Sequence, residues 1–183
     1  MLFGESPTRA AEASRPQLES IKEKAMNGNE APRGRNPQST AKIGTHPIHP
    51  MLIPFPIVCF IGTFVTDVVY SRNGDSGWAT ASHWLLIIGL VMAALAAVTG
   101  LTDYLGDERL RRLSDALKHM LANVTAVVLE LVNLLLRLRN DEFIASTGIY
   151  ISGVVVLILL YSGWKGGELV FRHGVGVRDT SNL

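Results

Sequence analysis

The chain has little cysteine, little net charge and none of the common catalytic signatures. Cys59 is the single cysteine and lies in an apolar run, which excludes a disulfide framework and a cysteine-based zinc site. The 17 basic and 16 acidic side chains nearly cancel, which argues against nucleic acid as a main partner. No Ser-His-Asp, P-loop or dinucleotide-binding pattern is present, and the first residues lack the apolar segment of a secretory signal.

Large apolar side chains are also scarce in the first quarter of the chain. Residues 1–45 are rich in charged residues, proline, serine and asparagine. Such a segment cannot bury enough apolar surface to offset the entropy of ordering, so we expect a mostly disordered tail. The predicted organisation is this tail, a transmembrane domain over residues 46–177, and a short C-terminal tail over residues 178–183.

Four long apolar runs follow the tail, and short polar turns separate them. Each run is long enough to cross a hydrocarbon core of about 30 Å. In a soluble protein, helices this uniformly apolar would need a far larger partner core than this chain supplies. The predicted fold is therefore all-α, a four-helix transmembrane bundle with up-down-up-down order. The predicted spans are Met51–Tyr70, Ala81–Tyr104, Leu113–Leu138 and Phe143–Trp164.

Lysine and arginine are concentrated at one end of the predicted bundle, the end that carries the N-terminal tail. By the positive-inside rule, this distribution predicts that both termini are cytoplasmic. The basic residues at that end are Arg33, Arg35, Lys42, Arg109, Arg111, Arg112, Lys118, Arg172 and Arg178, whereas the opposite end has Arg72, Arg137 and Arg139.

Several ionisable residues lie inside or next to the predicted spans, where burial of a charge is costly and a functional or structural reason is expected. Those of the third span share one helical face, which should point into the bundle. This stripe consists of His119, Asn123, Glu130, Asn133 and Arg137. At the predicted cytoplasmic level, all four helices contribute to a second set: His46, His49, Asp103, His119, Glu168 and His173. The opposite level holds the sparser group of Asp67, His83 and Glu130.

The stretch "THPIHPMLIPFP", residues 45–56, places two of these histidines among prolines. Pro54 and Pro56 lack an N–H group, so the first turns of the first span should be distorted. A residue before proline is biased towards an extended conformation, which we expect for both His46 and His49. The stiffened start of the span could then direct His49 into the bundle, whereas His46 is expected at the membrane interface.

The cytoplasmic-level set has two interpretations. Neutral imidazole binds haem iron or a transition metal, with carboxylates as direct or supporting ligands. The predicted cofactor-binding residues are His49, His119 and His173, and the predicted metal ligands are His46, Asp103 and Glu168, for haem b or a transition metal. The alternative is a hydrogen-bonded polar network that joins the helices without any cofactor, because the spacing matches no tight metal motif.

Four segments give the chain a family resemblance. In order they are "HPIHPMLIPFP", "AAVTGLTDYL", "LKHMLAN" and "GWKGGELVFRHGVGV". Together they resemble the bacterial membrane proteins of domain-of-unknown-function family 2231, over about residues 46–177. The resemblance implies a four-helix protein of the bacterial inner membrane, with no established activity to transfer. It draws attention to His46, His49, Pro50, Pro56, Gly100, Asp103, His119, Gly166, Gly167, Glu168, Gly174 and Gly176.

Two functional hypotheses follow. The first is a small integral membrane protein that binds haem or a metal at the cytoplasmic level for electron transfer, with a membrane redox partner. The second is a non-catalytic membrane scaffold or regulatory partner protein, in which the polar cluster is structural and the charged tail is the docking arm. A transporter is a weaker third option, because four spans per chain would need a homo-oligomer to enclose a path.

Overall fold

The computed structural model describes residues 36–140 and 142–177. It contains four helical stretches that are long and apolar enough to cross a membrane. We call them spans 1 to 4: Ile48–Asn73, Ser76–Gly106, Ser114–Arg137 and Ile144–Phe171. At about 1.5 Å per residue, each is longer than the roughly 30 Å of a hydrocarbon core. The four-helix transmembrane fold is confirmed, with ends within a few residues of those expected except at the start of span 2 and the end of span 4.

The elements follow one another with short connections, which gives the up-down-up-down order. They are β1 (Lys42–Ile43), β2 (His46–Pro47), α1 (Ile48–Leu52), α2 (Pro54–Asn73), α3 (Ser76–Gly106), α4 (Glu108–Arg111), α5 (Ser114–Arg137), a π-helix (Ile144–Gly148) and α6 (Ile149–Phe171). The two short strands pair antiparallel, with Lys42 opposite Pro47 and Ile43 opposite His46. We call the end of the bundle at which span 1 begins the tail end, and the opposite end the far end.

The prolines interrupt span 1 where the sequence predicted a distortion. Helix α1 ends at Leu52 and α2 begins at Pro54, with Ile53 between them. His46 is in strand β2, as its extended prediction requires, but the extended prediction for His49 is wrong. His49 lies in α1, because Pro50 falls in the first turn of that helix, where a missing N–H group breaks no helical hydrogen bond.

The bundle is apolar outside and partly polar inside. One apolar core cluster, in the middle of the bundle, consists of Phe60, Leu86, Ala93, Ala126 and Val155. Large apolar side chains such as Leu157, which is 65% exposed, face outwards. Several charged or polar side chains, described below, are buried instead. This distribution is that expected of helices whose outer surface contacts lipid.

Residues 36–47, which we call the strap, lie across the tail end. The carboxylate of Asp103 accepts hydrogen bonds from the backbone N–H groups of Thr40 and Ala41, each at 2.7 Å, and from the Ser39 hydroxyl at 2.9 Å. The N–H of Gly176 donates to the carbonyl of Pro37 at 2.9 Å. Part of the predicted tail, residues 36–45, is thus held against the bundle. The rest of the predicted tail, residues 1–35, and the C-terminal tail, residues 178–183, lie outside the described residues.

Candidate functional site

Two of the predicted ligand residues face each other at the tail end. His49 of span 1 and His119 of span 3 have ring centroids 6.3 Å apart, and their ring planes are almost perpendicular, at 88°. They are separated by seventy positions in the sequence, so the bundle fold alone brings them together. We call them the imidazole pair.

Main-chain carbonyl groups fix the orientation of both rings. Nδ1 of His49 lies 2.9 Å from the carbonyl oxygen of Ala96 in span 2. Nδ1 of His119 lies 2.9 Å from the carbonyl oxygen of Ser162 in span 4. Because a carbonyl oxygen can only accept, we assign the proton of each ring to Nδ1, and Nε2 of the neutral ring then keeps its lone pair. The Ser162 hydroxyl oxygen lies 3.0 Å from Nδ1 of His119 and accepts in this assignment. Histidines that bind metals are commonly oriented in the same way.

Two glycines make room for the imidazole pair. A Cβ atom built on Gly100 would lie 2.9 Å from Nδ1 and Cε1 of His49. One built on Gly166 would lie 3.2 Å from Cε1 of His119. Both glycines belong to the segments that carry the family resemblance, and the structure gives them a steric role beside the rings.

The Nε2 atoms of His49 and His119 have different surroundings. The Asn123 side-chain amide nitrogen lies 3.2 Å from Nε2 of His119 and donates to the His119 carbonyl oxygen at 2.8 Å. Within residues 36–140 and 142–177, no hydrogen bond reaches Nε2 of His49. To bind a ligand, Nε2 of His119 would have to give up the Asn123 contact, whereas Nε2 of His49 accepts no hydrogen bond from the described residues.

The other predicted ligand residues have partners of their own. Glu168 binds the Lys165 ammonium group at 2.5 Å, and Lys165 also lies 3.1 Å from Asp115. Nε2 of His173 lies 3.2 Å from the second oxygen of Asp115. His46 is exposed on β2.

Asp103 holds the strap rather than a ring. In the part of the chain that the structure describes, no group of three or more histidine, cysteine, aspartate or glutamate side chains could hold a metal ion. Binding of haem or a metal stays a prediction.

The loop after span 2 also contacts the strap. The Asp107 carboxylate accepts from the backbone N–H of Gln38 at 3.3 Å and forms an ion pair with Arg109 at 2.8 Å. The hydrogen bond from the Arg109 side chain lowers the pKa of Asp107 below its ordinary value. The carboxylate thus stays ionised in mildly acidic solution.

A second polar site lies near the far end and is fully buried. The Arg137 guanidinium of span 3 binds both carboxylate oxygens of Asp67 in span 1, at 2.8 and 2.5 Å. Neither side chain is exposed. Hydroxyl groups from the other two spans complete the arrangement: Ser82 lies 2.6 Å from Nη1 of Arg137, and Ser152 lies 3.0 Å from Nη2. All four spans therefore meet at one ion pair. We use the name far-end network for this ion pair, the two serines and two further residues of span 3, Asn133 and Glu130.

Asn133 and Glu130 extend the far-end network towards the middle of the bundle. Asn133 accepts from Nε of Arg137 at 2.8 Å and donates to Oε2 of Glu130 at 2.9 Å. Oε1 of Glu130 is buried and has no hydrogen-bond partner among residues 36–140 and 142–177. Glu130 itself is 0% exposed. This unpaired oxygen is unusual, because buried polar atoms nearly always have a partner.

Close packing surrounds the far-end network. A Cβ atom on Gly148, the last residue of the π-helix, would lie 3.2 Å from Oδ1 of Asn133 and 3.3 Å from Nη2 of Arg137. Single π-helical turns inside α-helices are frequent at functional sites. The polar stripe on span 3 was predicted from the sequence, but its pairing with Asp67, Ser82 and Ser152 was not.

The family model described as "Predicted membrane protein (DUF2231)" matches residues 45–179. No curated protein matches the chain, and no solved structure does. The match covers well over half of the chain and contains both the imidazole pair and the far-end network.

Proposed function

The chain belongs to the DUF2231 family of predicted membrane proteins, and we propose that it is a redox protein whose imidazole pair binds a haem iron or a transition metal. The observation that carries the proposal is the separation of the two rings. A metal–nitrogen bond to imidazole is about 2.0–2.1 Å long, so one metal between two such nitrogens would separate the ring centroids by about 6 Å. The observed separation is 6.3 Å.

The chemistry of the rings supports the same proposal. His49 and His119 each present Nε2 as the nitrogen with a lone pair, because Nδ1 is bound to a carbonyl oxygen. His49 and His119 could hold a haem iron without a further protein ligand, and the iron would supply the electron-transfer chemistry. The proposal therefore rests on these two histidines, and His173, Asp103 and Glu168 would stabilise the tail end around them.

The proposed function includes an orientation. With both termini in the cytoplasm of a bacterial cell, the imidazole pair would lie in the cytoplasmic half of the inner membrane. The excess of arginine and lysine at the tail end supports this orientation. In a Cys59→Ser background, a cysteine at Asn73 or Asn140 should react with a membrane-impermeant thiol reagent from the periplasmic side. Reaction from the cytoplasmic side alone would reverse the orientation.

The experiment that tests the cofactor is an absorption spectrum of the purified protein with and without dithionite, together with elemental analysis. Haem bound by two histidines predicts a Soret band that shifts on reduction. A bound transition metal predicts about one metal ion per chain, because each chain has one imidazole pair. The absence of both signals, in protein purified from cells supplied with haem precursor and metals, would reject the proposal.

A second candidate function is a non-catalytic membrane scaffold or regulatory protein. The observation that favours it is that Asn123 contacts Nε2 of His119 and that Gly100 accommodates His49 in direct contact, so the pair also packs without a cofactor. In this case the N-terminal tail would dock a partner protein. Deletion of residues 1–40 should then abolish partner capture, and unchanged partners would reject this role of the tail.

A further inference from the structure

The surroundings of Glu130 point to a function that the imidazole pair does not supply. Glu130 is buried, and one of its two carboxylate oxygens has no hydrogen-bond partner in the part of the chain that the structure describes. It is one helical turn from Ala126, which belongs to the apolar core cluster, and one turn from Asn133 in the other direction. The carboxyl group therefore lies at the boundary between the apolar core and the far-end network.

The charges of the far-end network leave none to neutralise Glu130. The guanidinium of Arg137 is already bound in bidentate form to Asp67, so these two charges cancel. Within the described residues, Glu130 takes part in no ion pair. An ionised Glu130 would add one uncompensated negative charge inside the bundle, which is costly in a bilayer.

The described side chains of spans 2 and 4 at this level add no charge that could compensate an ionised Glu130. Span 2 contributes the Ser82 hydroxyl to the network, and the His83 imidazole next to it is bound to the Ala79 carbonyl of its own helix. Span 4 contributes the Ser152 hydroxyl. Among the described residues, the charged groups that act on Glu130 are Asp67 of span 1 and Arg137 of span 3.

We propose that Glu130 is a proton-binding site, which holds one proton in the resting protein and releases it reversibly. A protonated carboxyl group leaves the network neutral and still accepts the hydrogen bond from Asn133 through Oε2. Glu130 and Arg137 are seven positions apart, so the proton is held about 10 Å from the far end of the span. The site gives the bundle a means of taking up a proton inside the membrane, independently of any redox cofactor.

The first test is modification by dicyclohexylcarbodiimide, a hydrophobic reagent that reacts with protonated carboxyl groups. The carboxyl proton moves to a carbodiimide nitrogen, the carboxyl oxygen bonds to the central carbon, and the adduct rearranges to an N-acylurea without loss of any atom. In full-length protein in liposomes, we expect mass spectrometry to place the adduct on Glu130 and its yield to fall as the pH is raised. Glu130→Gln should lose the adduct, whereas the exposed control Glu142→Gln should keep it.

A comparison with sodium ions distinguishes a proton-binding site from a site for a metal cation. Sodium chloride, compared with choline chloride at the same ionic strength, should leave the yield of the adduct unchanged. Protection by sodium would overturn the proposal, because it would mean that the site binds a metal cation instead of a proton.

Infrared spectroscopy covers the case in which the reagent does not reach the bundle interior. At pH 7 the parent protein should show the C=O band of a protonated carboxylic acid, and Glu130→Gln should lose this band while Glu142→Gln retains it. A parent spectrum without a band that depends on Glu130 would overturn the proposal, whatever the outcome of the labelling.

Discussion

Replacement of Asp67 by asparagine should destabilise the bundle strongly. Arg137 and Asp67 have no exposed side-chain surface, so the substitution leaves a buried guanidinium without its counter-charge. Breaking a buried ion pair from one side costs about 3–5 kcal/mol. The asparagine oxygen can still accept from one guanidinium nitrogen, but its NH₂ group faces the other nitrogen as a second donor.

The single native cysteine provides the assay. Cys59 is partly buried, and its Cβ lies 3.0 Å from the position of a Cβ on Gly89 in span 2. Unfolding in detergent should therefore expose its thiol to a dye that fluoresces on reaction. For a chain of this length, a loss of about 3–5 kcal/mol corresponds to a fall in the melting temperature of roughly 6–20 °C.

Two further variants make this prediction specific. Asp67→Leu combined with Arg137→Met removes both charges, so it should recover most of the stability that the single change loses. Glu142→Gln changes an exposed carboxylate at the same end and should leave the melting temperature unchanged. A melting temperature of Asp67→Asn within about 3 °C of the parent, a change of roughly 1 kcal/mol, would refute the buried ion pair as the element that joins the four spans.

Three other predictions concern the tail end. Gly100→Ala should lower both cofactor content and stability, the latter by about 1–3 kcal/mol, because its new methyl group would lie 2.9 Å from a ring of the imidazole pair. Gly163→Ala is the control, because a Cβ built on Gly163 meets no described atom within 4 Å. Equal cofactor content and stability in the two variants would contradict the steric role of Gly100. Asp103→Ala should make the strap more susceptible to limited proteolysis, since it removes the carboxylate that accepts from Ser39, Thr40 and Ala41 of the strap, and an unchanged cleavage rate would contradict this anchor. The pKa of Asp107 is lowered first by Arg109 and to a smaller extent by the Gln38 N–H of the strap. The stability that Asp107 gives to the strap is therefore complete above the unfolded pKa of about 3.9 and is lost as the pH falls through the lowered value. Cleavage of the strap should therefore rise only below about pH 4, and a rise between pH 5 and 7 would show that another group controls it.

The sequence predicted the spans and the inward-facing residues because both depend on local properties. Length and hydropathy identify a span, and the 100° step of a helix places His119 and Glu130 on one face. Matched depth at the start of spans 1 and 3 was enough to predict that His49 and His119 share a level. Their direct contact depends on the rotation of each helix about its axis, which the sequence does not specify.

The far-end network shows what the sequence pattern could not provide. Arg137 and Asp67 are separated by seventy positions, and nothing in the apolar pattern states which of the four helices an inward arginine will meet. Ser82 and Ser152 gave no signal, because single serines are common in membrane helices. Asp103 and Glu168 were predicted as metal ligands from their depth and from the family resemblance. Nothing in the sequence indicated their bonds to the strap and to Lys165.

The most direct test of the imidazole-pair proposal is the ratio of cofactor to protein in three purified variants: His49→Ala, His119→Ala and His173→Ala. Haem would be measured by absorption and metal by elemental analysis, after circular dichroism has shown that each variant remains helical. The proposal predicts that His49→Ala and His119→Ala lose the cofactor, whereas His173→Ala, whose ring contacts Asp115, retains it. A full complement of cofactor in His119→Ala would contradict the account.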